Sequence, residues 1–407
     1  MIVSGSNFAT GIILVRGLGL AEFGRFTVAY AILLLANSIQ LSFISSAMIT
    51  LGSLCPTSDE RRRLVRGMYG VQLLFCAIAT VATVAGTLAW IALNTGETSP
   101  GMVPAFAAAV MLYLMQDWLR RYYFTIGKAG AAVLNDAISY LGQLAALGLL
   151  AVVHRLSVVS AFWAIGLTSG IAFAIGGLIE RLGTTIAETR DAWRQSRGIS
   201  IHLGIANQLQ WIVYQGAMLV GAAVVGAQAA GGVRATQNVI GPVNIAYQAM
   251  ENIVPIRAAE EMRRGGVERA EAFLIRFGAA GFVTLLLVFA AISLVSGRFL
   301  SFFYGHQLRI YAGVLDLQML YFLLVWPVRQ FTFLFRTTRN TVPILMSSVV
   351  AAAVSLALVY PMVRGFGAAG IMIAAVAGQA GNLLCLLLAR LRAPQRATGA
   401  MLETRAD

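Results

Sequence analysis

Long apolar runs dominate this chain, broken by short clusters of arginine, glycine and polar residues. A run needs about 20 residues to cross a ~30 Å hydrocarbon core at ~1.5 Å per residue. Twelve runs approach or exceed that length, at roughly 2–19, 25–52, 64–94, 102–124, 130–153, 158–182, 201–226, 233–256, 270–296, 308–335, 341–363 and 367–391. The pattern predicts an all-α integral membrane protein of about twelve transmembrane helices. The connections are short and leave no room for a water-soluble domain. The longest joins Leu182 to Ser200, and its segment Glu188–Arg194 reads as an interfacial amphipathic helix. The expected organisation is an N-terminal six-helix lobe at 1–182, a cytoplasmic amphipathic linker at 183–200, a C-terminal six-helix lobe at 201–392 and a cytoplasmic tail at 393–407.

Charge sets the expected orientation. With both termini cytoplasmic, Arg and Lys in cytoplasmic segments number twenty-one, grouped around 61–66, 120–128, 181–197, 257–269, 336–339 and 390–405. The opposite side holds seven: Arg16, Arg25, Arg155, Arg234, Arg298, Arg309 and Arg364. That asymmetry is the positive-inside signature of twelve spans, and an odd number would scramble it. A shift of 207 residues also places Gly19 on Gly226, Gly24 on Gly231 and Asn37 on Asn244. Repeats of six helices keep one orientation, pair about the membrane normal and leave a central cavity between two lobes.

Polar residues inside spans are costly in lipid and point toward protein or water. The eighth span is richest, with Arg234, Gln237, Asn238, Gly241, Asn244, Gln248, Glu251 and Asn252 on one helical arc. Ala235, Val239, Ile240, Val243 and Ala246 lie opposite. Such an arc fits the wall of a hydrated cavity, or polar glue between helices. The seventh span offers Asn207, Gln208, Trp211, Tyr214 and Gln215, amides and aromatic faces that suit sugars; the alternative for the aromatics is an interfacial belt. In the tenth span Arg329 either meets substrate or snorkels. In the fifth, Asp136 shares a face with Ser139, Tyr140 and Gln143. Asp136 and Glu251 are candidates for ion coupling, or else partners of Arg residues nearby, Asp117 with Arg120 and Arg121 being a local example. The first span carries Ser4, Asn7 and Gly11 on one face and Arg16 on the other.

Composition narrows the classes. Apolar residues make up 58% and charged residues 12%, against about a quarter charged in soluble domains. The formal net charge of +13 comes almost wholly from arginine, Lys128 being the single lysine. In this context it fixes topology and does not call for nucleic acid. Cys55, Cys76 and Cys385 lack metal-ligand spacing, and His154, His202 and His306 are scattered. No catalytic constellation appears, so no cofactor, metal or enzyme activity is expected.

The opening Ser4-Gly5-Ser6-Asn7-Phe8-Ala9-Thr10-Gly11, with Arg16, then Leu18-Gly19 through Phe23-Gly24, resembles the start of Wzx-type polysaccharide-biosynthesis transporters. Arg364-Gly365-Phe366-Gly367-Ala368-Ala369-Gly370 between the last two spans is similar too. These transporters belong to the multidrug/oligosaccharidyl-lipid/polysaccharide exporter superfamily. The resemblance implies a MATE-like fold and the flipping of an undecaprenyl-diphosphate-linked oligosaccharide across a bacterial inner membrane. Membrane lipids and other polysaccharide-assembly proteins would be its partners. The expected substrate-binding set is Arg16, Asn7, Arg234, Gln237, Asn238, Asn244, Gln248, Asn207, Trp211, Tyr214 and Arg329. The alternatives are a cation-coupled multidrug antiporter of the same superfamily and a membrane polymerase or ligase.

Overall fold

The computed structural model describes residues 2–55, 57–93, 101–338, 340 and 342–392. The expected tail at 393–407 lies outside the described residues, as does the 94–100 connection. The side chains of Asn207, Gln248 and Glu251 lie outside them too.

The described residues are helical almost throughout. In chain order they form α1 (Ile2–Gln40), α2 (Ser46–Leu54), α3 (Ser58–Leu93), α4 (Met102–Thr125), α5 (Ala129–Asp136), α6 (Gly142–Val152), α7 (Val158–Glu180), α8 (Ile186–Trp211), α9 (Ala217–Val225), α10 (Ala227–Tyr304), α11 (Ala312–Thr337), α12 (Val342–Phe366) and α13 (Ala368–Arg392). Single π-turns at Leu41–Ser45, Ala137–Leu141 and Ile212–Gly216 join α1 to α2, α5 to α6 and α8 to α9. Two long helices break at glycine: α1 at Gly19, and α10 at Gly265–Gly266. With those breaks and π-turns taken into account, the described residues make twelve helical segments. Counted without the glycine breaks, nine helices among the described residues are long and apolar enough to cross a membrane, and the protein is a multi-pass membrane protein.

Local chemistry explains the boundaries. Gly19 adopts φ 78°, ψ 168°, and Gly226, between α9 and α10, adopts φ 98°, ψ 164°. This region is open essentially to glycine alone. The two residues are 207 positions apart, the interval of the sequence repeat, and they break the chain in the same way. At the start of α7 a capping box closes both orphan donors: the Ser157 hydroxyl accepts from the Ser160 amide at 3.1 Å, and Ser160 Oγ accepts from the Ser157 amide at 2.8 Å. Thr185 and Glu188 cap α8 in the same manner, at 3.2 and 2.9 Å.

Chain contacts define two units, Met1–Gln208 and Leu209–Asp407. In the first, α4 and α7 pack through small residues. A methyl group on Gly166 would sit 3.1 Å from the Ala109 Cα, so the backbones touch. Phe162 fills the space above, its ring 5.0 Å from Phe26 and 4.9 Å from Phe106. In the second unit α12 and α13 meet as closely, since a methyl on Gly370 would lie 2.1 Å from the Met362 carbonyl oxygen. The boundary falls within α8: the stretch expected as a separate linker at 183–200 is helical from Ile186 and continues to Trp211 without interruption.

Candidate functional site

Polar groups collect inside each unit. In the first, α4 and α5 build a charged network around Asp117, whose side chain is 1% exposed. Arg120, one turn on, donates to Asp117 Oδ1, and Arg121 Nε lies 3.6 Å from Oδ2. Arg120 also reaches the next helix, 3.7 Å from Asp136 Oδ2. Gln116 Nε2 donates to Asp136 Oδ1 at 3.2 Å, and Asn135 Nδ2 to the Gln116 carbonyl at 3.3 Å. Asp136 is thus tied to helix 4 through both Arg120 and Gln116. Beyond it, the π-turn at Ala137–Leu141 shifts the side-chain phase and turns Ser139 and Tyr140 inward. Ser139 Oγ then meets Ser169 Oγ at 3.2 Å, and Tyr140 Oη lies 3.5 Å from Tyr113 Oη.

The first helix contributes to the same interior. Thr10 Oγ1 accepts from Gln143 Nε2 at 3.2 Å. Ser6 and Thr10 are buried, and Asn7 beside them is partly buried. Arg16 is exposed on another face of α1 and lines a cleft of about 590 Å³ with Ile12, Ile13, Gly17, Gly148, Ala151, His154 and Leu156. The Gln208 amide donates to Ser38 Oγ at 3.0 Å and to Ser42 Oγ at 3.2 Å, on the second span.

In the second unit, α10 and α11 build an interior of amides and aromatic hydroxyls. Arg234 Nη1 donates to Gln237 Oε1 at 3.2 Å, and Tyr214 and Tyr304 lie near its charge. Tyr214 accepts a hydrogen bond from Gln318 Nε2 and stacks on Tyr321 with ring centroids 5.0 Å apart. Thr236 Oγ1 donates to Gln318 Oε1 at 3.4 Å, so α10, α11 and the π-turn after α8 converge on one glutamine. Lower down, Tyr247 Oη donates to the Phe322 carbonyl at 2.6 Å, and Trp326 Nε1 to the Gly278 carbonyl at 2.7 Å. Arg329 lies near Tyr247.

The residues expected on the eighth span therefore divide. Gln237 is buried, Arg234 and Asn238 are partly buried, and Asn244 is exposed. Asn238 lies beside Tyr304. On the opposite arc Ala235 and Ile240 are buried, while Ala246 is exposed. Trp211 is partly buried at the end of α8. The structure adds Tyr304 near Arg234, Gln318 and Thr236 in the hydrogen-bond chain to Tyr214, and Gln116 and Arg120 around Asp136. The signal for the second pair was present in the sequence: a Gln-Asp-x-x-Arg-Arg string within an apolar helix needs a partner beyond its own turn.

The element order, the two six-segment units and the glycine-broken spans define the fold of MATE-type exporters. No family model matches the sequence, and no curated protein matches it. Solved structures do. The chain superposes on "Lipid II flippase MurJ, inward closed conformation" with a TM-score of 0.73 at 12% identity, covering 95% of this chain and 85% of that one. An inward-facing multidrug resistance MATE family transporter of the MOP superfamily gives 0.74 at 14% identity, covering 96% and 94%. A MOP superfamily transporter from Pyrococcus furiosus, with a binding pocket described as of reverse polarity, gives 0.65 at 14%, covering 96% and 92%. At these identities the likeness shows a shared fold.

Proposed function

We propose that the protein flips an anionic lipid-linked oligosaccharide, with an undecaprenyl diphosphate anchor, across the bacterial inner membrane by alternating access. Its product would serve exopolysaccharide, capsule or O-antigen assembly, and both termini would be cytoplasmic. The observation that carries this reading is the sign and setting of the interior charge. The carboxylates Asp117 and Asp136 are held by arginines, and Asp316 accepts from Ser293 Oγ at 2.8 Å. Arg234 stands among amides and phenols in the second unit. Guanidinium groups bind diphosphate through paired charge-assisted hydrogen bonds, while amides and aromatic faces suit sugars. A cation-drug antiporter needs accessible acid instead.

The test is a deletion strain, in which the lipid-linked intermediate should accumulate on the cytoplasmic leaflet. Complementation with Arg234→Ala should cut export roughly tenfold or more, since a charge-assisted contact contributes about 1.5–3 kcal/mol. Arg234→Lys should recover part of it. No accumulation, together with loss of resistance to cationic drugs, would favour the antiporter and sink the flippase reading.

A further inference from the structure

The cleft around Arg16 is outside both interior clusters. It lies between the end of the first segment of α1 and the end of α6. Its walls are of two kinds. Ile12, Ile13, Ala151 and Leu156 supply aliphatic surface, and Arg16 and His154 supply nitrogen donors. The glycines make the room. Gly148 has no atom within 4 Å of where a methyl would stand, so this stretch of wall is open. Gly17 is the opposite case: the same methyl would meet Leu156 Cδ2 at 2.5 Å, and Leu156 closes the cleft there.

The backbone fixes His154 in position. The His154 amide donates to the Ala151 carbonyl at 3.2 Å and the Arg155 amide to the Leu150 carbonyl at 2.9 Å, a Schellman turn ending α6. Such a turn needs a left-handed residue, usually glycine, and His154 takes it with φ 54°. Next to the cleft, Leu149, Val152 and Val153 are 64%, 77% and 50% exposed. In a membrane protein such apolar exposure at a helix end is lipid-facing surface.

We infer that this cleft binds the phosphate of a membrane lipid, with Arg16 and His154 on the phosphate and the hydrocarbon chain along Ile12, Ile13 and the outer face of α6. Chemistry and shape agree on that class. A guanidinium and an imidazole at the end of a transmembrane helix match a phosphate ester at the headgroup level. An aliphatic wall open to lipid matches a chain that stays in the bilayer. The inference requires only that the chain spans a membrane and is independent of what it transports.

Native mass spectrometry of the purified full chain, with phosphatidylglycerol or undecaprenyl phosphate added, tests it. Diacylglycerol and undecaprenol serve as the matched phosphate-free probes. The parent should retain a phosphate-bearing lipid and release the phosphate-free one. Arg16→Gln should weaken retention about tenfold, a shift of about 1.4 kcal/mol. Gly148→Leu, which fills open space and keeps the charge, should weaken it as much. His154→Gly should weaken binding while raising thermal stability, because glycine relieves the left-handed strain; a purely structural histidine would not separate the two readouts. Retention of phosphatidylglycerol identifies a resident phospholipid, and retention of undecaprenyl phosphate alone identifies a prenyl lipid. Equal retention with and without phosphate, displacement by inorganic phosphate at equal concentration, or unchanged binding in both Arg16→Gln and Gly148→Leu would overturn the inference.

Discussion

Arg120 links two helices of the first unit, and its removal has a calculable cost. One guanidinium serves two carboxylates on neighbouring helices, Asp117 directly and Asp136 at 3.7 Å. Side-chain exposures are 1% for Asp117, 14% for Asp136 and 16% for Arg120. With Arg121, the four groups balance in charge. Arg120→Gln leaves a net negative charge in a largely buried cluster. Breaking a buried pair from one side costs about 3–5 kcal/mol. Arg121 still faces Asp117 at 3.6 Å, which sets the expectation near the lower end, about 3 kcal/mol. Adding Asp117→Asn restores the balance, since Asp136 and Arg121 then remain as one charge of each sign. The double variant should therefore recover at least half of the loss, and the cycle isolates the coupling. Unfolding in mixed micelles with rising dodecyl sulfate, followed by circular dichroism, reads the differences. Arg120→Gln within about 0.5 kcal/mol of the parent, or a double variant less stable than Arg120→Gln alone, would refute the reasoning.

Three further outcomes follow from particular residues. If Asp136 carries a coupling proton, Asp136→Asn should flatten the dependence of transport on a proton gradient at unchanged protein level; full gradient-driven activity would leave it as a partner of Arg120 only. Gly70→Leu should free the start of α8 and expose 186–197 to protease, because a methyl at Gly70 would lie within 2 Å (1.9 Å) of Thr189 Oγ1; an unchanged digestion pattern would show that α8 does not dock there. A reporter active only outside the cytoplasm should be active after Gly305 and silent after Arg63 or Arg264, and the reverse would remove the twelve-span topology.

The helices were legible because apolar runs of membrane length announce themselves, and glycine marked the breaks. Gly19 and Gly226 were paired by sequence interval alone, and their matching backbone angles follow from a conformation that other residues avoid. Side-chain partnerships were less legible. Spacing of three and four residues finds Asp117 with Arg120 and Arg121, and an Arg of the fourth span was the alternative partner for Asp136; that it is Arg120 depends on how α4 packs on α5, which no local rule encodes. The phase of the seventh span was also hidden. A π-turn at Ile212–Gly216 inserts an extra residue into the helical count, which the regular 3.6-residue period does not anticipate. The join between linker and span escaped for a related reason: the polar stretch before residue 200 reads as a boundary, whereas its backbone hydrogen bonds simply continue.

The length of α3 has a practical consequence for imaging. Thirty-six residues make a rod of about 54 Å, against a hydrocarbon core of about 30 Å. Several turns at the Ser58 end, where Arg61, Arg62, Arg63 and Arg66 cluster, must stand clear of the acyl chains. They are not a loose post. Gly67 and Gly70 form a notch that receives Glu188, Thr189 and Ala192 of α8, and Arg66 Nε lies 3.6 Å from Glu188 Oε1. A small soluble domain fused through two helices, one entering at Leu182 and the other leaving at Thr185, would inherit that clamp as its mount. It would give a protein of mostly buried mass a rigid landmark for particle alignment in electron micrographs.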